Sequence, residues 1–292
     1  DIIHMRIFLP ATQKAKLRLS CEEALHDKHM SLHGLQSLVG LLLHAARVVQ
    51  PGMLMARRLL EELRHFMHKQ KRDPSYRRHH LCDDTMDDIR WWRDAVTASH
   101  WDSTTFIAPK REWESPIVIH ADAASTDGAG AVLFDLTKSE QSPSAVQAWC
   151  YYRWPSMESP ESACRSWPIA ALEMTAIAIA LATMGPRLAG HRIRIHSDSS
   201  NAVNVLRRTS TTSSIHMRLL RGIHALAHQF GFHIEITSHI SGVRNVFADA
   251  ASRLMTHVQD PHRLNELGLT MIRRIDPVIP EWLGCLMTRR SC

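Results

Sequence analysis

The chain has no CxxC pair, no signal peptide, and no apolar run approaching the roughly 20 residues that span a bilayer. Its six cysteines (Cys21, Cys82, Cys150, Cys164, Cys285 and Cys292) are scattered without the spacing of a disulfide framework. Reduced thiols inside a cell are therefore the expectation, in cytoplasm or nucleus, with no membrane as partner. Histidine is abundant, at 20 residues, and HDKH (His26, His29) and HFMH (His65, His68) place pairs at i, i+3. At neither pair does a nearby cysteine or carboxylate complete a convincing tetrahedral zinc set. An initiating Met is missing as well; the chain opens on Asp1, as a piece of a longer protein does.

What is present excludes wholesale disorder. Hydrophobic residues make up 45% of 292, enough for a sizeable core and for two domains or one large one. The formal charge is +6, which suits a polyanionic partner without requiring one. Basic residues are spread along the chain except in KQKRDPSYRRHH (69–80). That run reads either as a solvated linker or as a contact to a phosphate backbone.

Periodicity divides the chain in three. Residues 1–110 read as a small helical domain. QKAKLRLSCEEALHD has helical spacing, and Ser31 is placed to cap SLHGLQSLVGLLLHAARVVQ, whose Leu32, Leu35, Leu38, Val39 and Leu42 form one stripe. Pro51-Gly52 marks a break before MLMARRLLEELRHFMHKQ, and residues 71–80 read as a polar connector. DDTMDDIRWWRDAV reads as a further helix with acids in its first turn and Trp91 and Trp92 as anchors. Residues 111–256 change character. IVIHADA, GAGAVLFD and AVQAWCYYRW read as strands, followed by a loop to 168. Then come a helix (IAALEMTAIAIALATM, stopped by Gly185-Pro186), a strand (HRIRIHSD), two helices (SSNAVNVLRR, and SIHMRLLRGIHALAHQFG stopped by Gly231), a strand (FHIEITSHI) and a last helix (NVFADAASRLM). The order β-β-β-α-β-α-α-β-α predicts an α/β fold, a mixed sheet flanked by helices. Residues 257–292 have no clear period and read as an irregular tail.

Four carboxylates stand in apolar contexts where a charge is costly unless it is used. Asp122 ends the first strand of this sheet and Asp198 the fourth, and ligands collect at strand ends in open α/β sheets. If those strands are neighbours, the two acids repel, and a divalent cation relieves the repulsion. Glu173 lies mid-helix among Ala, Leu and Ile. Asp249 opens the last helix, where the helix dipole favours it. Taken singly, Asp198 and Asp249 can be helix caps and Asp122 a turn residue; Glu173 is the hardest to explain as structure alone.

In this order, HADAASTDGAGAVLF, ALEMTAIAIAL, IHSDSSNAV and HISGVRNVFADAASRL resemble the ribonuclease H domain of reverse transcriptases. The preceding MRIFLPATQKAKL, SLHGLQSLVGLLLHAARVVQPG and DIRWW resemble the thumb and connection segment of retrotransposon reverse transcriptases, DIRS-type elements being most similar. No Tyr/Phe-x-Asp-Asp motif of a polymerase palm occurs. The resemblance implies a ribonuclease H-like fold at 111–256, a thumb/connection-like region at 1–110, and a two-metal endonuclease that hydrolyses the RNA strand of RNA–DNA hybrids. Two Mg²⁺ ions, with Mn²⁺ able to substitute, are implied on Asp122, Glu173, Asp198 and Asp249. His239, ten residues before Asp249, is implied as a proton shuttle on a flexible loop. Ser199, Ser200, Asn201, Arg207, Arg208, Arg244 and Asn245 are candidate nucleic-acid contacts, although capping explains the first three equally well. The partners implied are the hybrid and the polymerase portion of the same polyprotein. Two other readings stay open: a catalytically decayed module that binds hybrid without cutting it, and another nuclease or transposase of the same fold.

Overall fold

A computed structural model describes residues 6–49, 51–97, 104–106, 117–135, 143–155, 162–208, 211, 213–254 and 262–288. The chain divides into two units, Asp1–Arg111 and Glu112–Cys292.

Unit 1 is built from α1 (Ala11–Asp27), α2 (Leu32–Ala45), α3 (Gly52–Met55), α4 (Arg57–Arg72) and α5 (Asp83–Thr97). The Ser31 side chain accepts a hydrogen bond from Gly34 N at 3.1 Å and caps α2. Leu35, Leu38, Val39 and Leu42 are buried with Leu17, Phe66 and Trp92. Trp92 is fully buried, and the Trp91 ring meets its edge at 5.3 Å. Two details depart from the sequence reading. The helix after Pro51-Gly52 is interrupted at Ala56. The connector at 71–80 holds structure: α4 runs on to Arg72, and β3 (Arg78–His80) pairs antiparallel with β2 (His29–Ser31). Buried His79 shares its ring nitrogens between Glu62 and the Tyr76 hydroxyl, so the basic run conceals one polar anchor. A second short pair joins β1 (Arg6–Phe8) to β4 (Thr104–Phe106).

Unit 2 carries a five-stranded mixed sheet in the order β7-β6-β5-β8-β9. The hairpin β5 (Ile117–Ala123) and β6 (Gly128–Asp135) and the next strand β7 (Val146–Arg153) are antiparallel, whereas β8 (Arg192–Ser197) and β9 (His233–His239) run parallel to β5. Helices α6 (Ile169–Leu188), α7 (Ser200–Arg208), α8 (Ser214–Phe230) and α9 (Val246–Ser252) complete the predicted element order. Every residue of β5 is buried, as a strand covered on both faces requires.

Helix α6 corrects two expectations. It is a 20-residue helix long and apolar enough to cross a membrane, yet 89% of its apolar window is buried within the protein. Seventeen of its 20 residues are buried, so the absence of a polar face reflects a core helix. Its predicted stop at Gly185-Pro186 is instead helix interior. A Cβ on Gly185 would fall 2.3 Å from the Phe230 ring, so this glycine permits close approach of α8. Gly231 does end α8, with φ +68° and ψ 34°.

Within residues 262–288 the expected irregular tail is a structured strap. A helix at His262–Glu266 precedes a second at Glu281–Thr288. Between them the chain pairs with edge strand β7: Trp149 N donates to Arg273 O at 3.2 Å and Ile275 N to Trp149 O at 2.8 Å. Trp149 Nε1 donates to Leu269 O at 3.0 Å. Leu264 and Leu269 join the core formed by α9 and β5–β7. Beyond the edge, Val278 N donates to Thr183 Oγ1 of α6 at 3.0 Å and Trp282 packs against Gly222 of α8. A sheet edge otherwise open to pairing is thereby covered. Cys285, in the last helix, is disulfide-bonded, against the expectation of reduced thiols.

Candidate metal centre

Parallel pairing of β5 with β8 sets Ile119 beside Ile195 and His120 beside His196, so the carboxylates that follow, Asp122 and Asp198, emerge at the same end of the sheet. Helix α6 delivers Glu173 to the same point. One ligand oxygen from each of Asp122, Glu173 and Asp198 lies within 4.8 Å of the other two. Asp122 and Glu173 are buried, and Asp198 is half-buried.

Hydroxyl groups hold two of these acids. Ser252 Oγ, at the end of α9, donates to Asp122 Oδ2 at 2.5 Å. Ser197 Oγ donates to Glu173 Oε2 at 3.3 Å, and the Ala123 backbone supports the same carboxylate. Neither serine is visible as a site residue in sequence. Ser252 lies three residues past Asp249 and is brought to Asp122 only by the packing of α9 on β5 and β6.

Burial pushes Asp122 up to about 6, opposed by Ser252 and reinforced by the charges of Asp198 and Asp249. Glu173 is pushed up to about 9, by burial first and then by Asp122 and Asp198. Burial also raises Asp198, with the nearby charges of His239 and Arg253 acting against it. Three carboxylates forced together and away from water are unfavourable when all are ionised. An all-oxygen donor set of this kind matches a hard divalent cation.

Asp249 stands apart. It is near enough for its charge to act on Asp122 and Asp198, but its Oδ1 accepts from Arg253 Nε at 2.8 Å, and it lies outside the three-acid cluster. His239 is exposed and, contrary to the loop expectation, is the final residue of β9, with its backbone in register with Ser197. The loop that follows reaches the centre through Gly242, where a Cβ would lie 3.3 Å from Asp198 Oδ2.

The predicted nucleic-acid contacts divide. Ser200 and Asn201 are exposed at the start of α7, and Arg208 and Arg244 are also exposed. Ser199 is a cap: its Oγ accepts from Ala202 N at 3.3 Å. Arg207 spends its Nε–H on the Thr237 carbonyl of edge strand β9, at 2.6 Å. Asn245 must be withdrawn as a surface contact, because it is fully buried and its Nδ2 donates to Ala121 O at 3.2 Å. It ties the start of α9 to β5, two residues from Asp122.

Residues 112–228 match the family described as the RNase H-like domain found in reverse transcriptase. The match falls within the second unit, with Asp122, Glu173 and Asp198 inside the matched residues and His239 and Asp249 beyond them. No curated protein matches the chain. Among solved structures, RNase H1 from the halophilic archaeon Halobacterium salinarum NRC-1 is similar at 16% identity and a TM-score of 0.37, over 50% of this chain and 98% of that one. LC11-RNase H1 in complex with an RNA/DNA hybrid is similar at 16% identity and a TM-score of 0.34, over 46% of this chain and 92% of that one. The foamy viral protease-reverse transcriptase in complex with an RNA/DNA hybrid is similar at 13% identity and a TM-score of 0.30, over 80% of this chain and 27% of that one.

Proposed function

We propose that the RNase H-like unit is a metal-dependent endonuclease that hydrolyses the RNA strand of RNA–DNA hybrids, as part of a retroelement reverse transcriptase. One observation carries the reading: three carboxylates converge within 4.8 Å at the end of the sheet, inside the residues that match the RNase H-like family.

Asp122, Glu173 and Asp198 would hold divalent ions, Mg²⁺ by the hardness of the all-oxygen set, with Mn²⁺ as substitute. Ions held by these carboxylates would supply activation of a water and compensation of charge on the phosphate. The protein's own contribution is positional. Ser252 fixes the rotamer of Asp122, Ser197 that of Glu173, and Asn245 anchors the helix that carries Asp249. His239, exposed at the end of β9, would take or give a proton at the leaving oxygen. Ser200, Asn201, Arg207, Arg208 and Arg244 are the exposed candidates for backbone contact, with RNA chosen through its 2′-hydroxyls. The first unit and the polymerase portion of the same polyprotein would supply further grip on the hybrid.

A labelled RNA–DNA hybrid incubated with the protein and Mg²⁺ or Mn²⁺ tests the reading. RNA-strand cleavage that disappears in Asp198→Asn is the expected result. Tight hybrid binding without cleavage under either metal would instead identify a module that binds and no longer cuts.

A further inference from the structure

Asp249 is the one predicted ligand that the fold brings close to the centre without placing in it. Its partner is Arg253, one helical turn on, with Nε 2.8 Å from Oδ1. Arg253 also acts on the other acids: its charge is felt at Asp122 and at Asp198, and the charges of Asp249, Asp122 and Asp127 are felt at Arg253. It follows directly on Ser252, whose hydroxyl grips Asp122. The end of α9 thus presents a hydroxyl to one carboxylate and a guanidinium to another. The cation is well placed, because it sits at a helix C-terminus, where the dipole favours positive charge. His239 acts on Asp198 in the same sense.

We propose that Arg253 is a built-in counter-charge of the acidic centre, which keeps Asp249 out of the ligand set and weakens the uptake of divalent cations. The inference rests on the reading of Asp122, Glu173 and Asp198 as a metal centre. A guanidinium paired with Asp249 competes with a divalent ion for the same carboxylate oxygen and repels that ion through space. The competition is reversible. The Arg253 and Asp249 side chains are 51% and 42% exposed, and an ion pair so placed is weakly held. A divalent ion can therefore draw Asp249 away once the other three acids have captured it. Arg253 acts on the centre as a positioning residue, setting how readily it is loaded.

The test is Mn²⁺ titration of the full chain, followed by the electron paramagnetic resonance signal of the free ion, with no nucleic acid present. R253Q, which removes the charge, is expected to bind Mn²⁺ at least about threefold more tightly than wild type. R253K, which keeps the charge, is expected to resemble wild type, and R253M repeats the neutral case with the aliphatic stem intact. D198N is expected to bind much more weakly than any of these. If D198N binds weakly while R253Q and R253M bind no more tightly than wild type, the role of Arg253 is overturned and the centre stands. If D198N takes up Mn²⁺ like wild type, the centre is overturned and the role of Arg253 falls with it.

Discussion

Ser252 and Asp122 lie 130 residues apart in the chain and are joined by a 2.5 Å hydrogen bond from Oγ to Oδ2. The same hydroxyl lies 2.9 Å from the Asp249 carbonyl, so it links β5 to the end of α9. A buried carboxylate that loses its donor keeps its desolvation penalty without compensation. Ser252→Ala is accordingly expected to destabilise the second unit when Asp122 is ionised, by about 1–3 kcal/mol. It should also weaken Mn²⁺ uptake. Urea denaturation at neutral pH, beside a Mn²⁺ titration, checks both; unchanged values would show that the bond positions nothing.

Stability of the metal-free protein should decline as pH rises. The folded state holds protons on Asp122 and Glu173 that the unfolded chain gives up at ordinary carboxylate values. The contribution is complete below that range and is lost as pH climbs through about 6 for Asp122 and about 9 for Glu173. Thermal melts in EDTA are therefore expected to show this decline between about pH 5 and about pH 9. Asp122→Asn should flatten the lower part of it. Mg²⁺ should raise the midpoint more at the alkaline end, where the carboxylates are ionised and bind best. An equal Mg²⁺ effect across the range would count against these acids as ligands.

Gly130 sits beneath α9. A Cβ there would lie 2.2 Å from Ser252 N and 2.6 Å from Ala248 O, both backbone atoms that cannot swing aside. Gly130→Ala must therefore push α9 off β6, carrying Ser252, Asp249 and Arg253 with it. The expected cost is about 1–3 kcal/mol of stability, with weaker Mn²⁺ uptake, although residue 130 offers the centre no side chain of its own. A crystal structure of the variant with α9 in its present place would refute this.

The strap packs into the same core as this helix. Leu269 is fully buried in the core shared with Phe247, Ala250 and Ala251. Leu269→Ala should cost about 2–5 kcal/mol, as a buried leucine does, where an irregular tail would tolerate it. Removal of the strap should in addition expose the β7 edge and promote self-association, which size-exclusion chromatography would detect.

The element order of the second unit was legible because each strand and helix carries its own period, and burial on both faces gives β5 its continuous apolar run. Glu173 was legible for a related reason: a carboxylate on a helix without a polar face has nowhere to go but inward. Ser31 and Gly231 were readable as local cap chemistry. Asn245 was misread because its motif position points to function, while its amide is consumed by the Ala121 carbonyl. Gly185 was misread because a glycine that ends a helix and one that admits a neighbouring ring look alike until the ring is placed. The strap was missed because its order comes from contacts with Trp149, Thr183 and Gly222, and its own residues show no period.

The amino-acid sequence by itself determined the order of elements, the mixed character of the sheet, and which acids are expensive to bury. Those properties follow from local periodicity and from the free energy of removing charge from water. Tertiary structure alone decided that Asp122, Glu173 and Asp198 meet within one ion's reach while Asp249 turns to Arg253. Strand register, helix approach and the reach of each side chain set those distances, and no spacing along the chain encodes them.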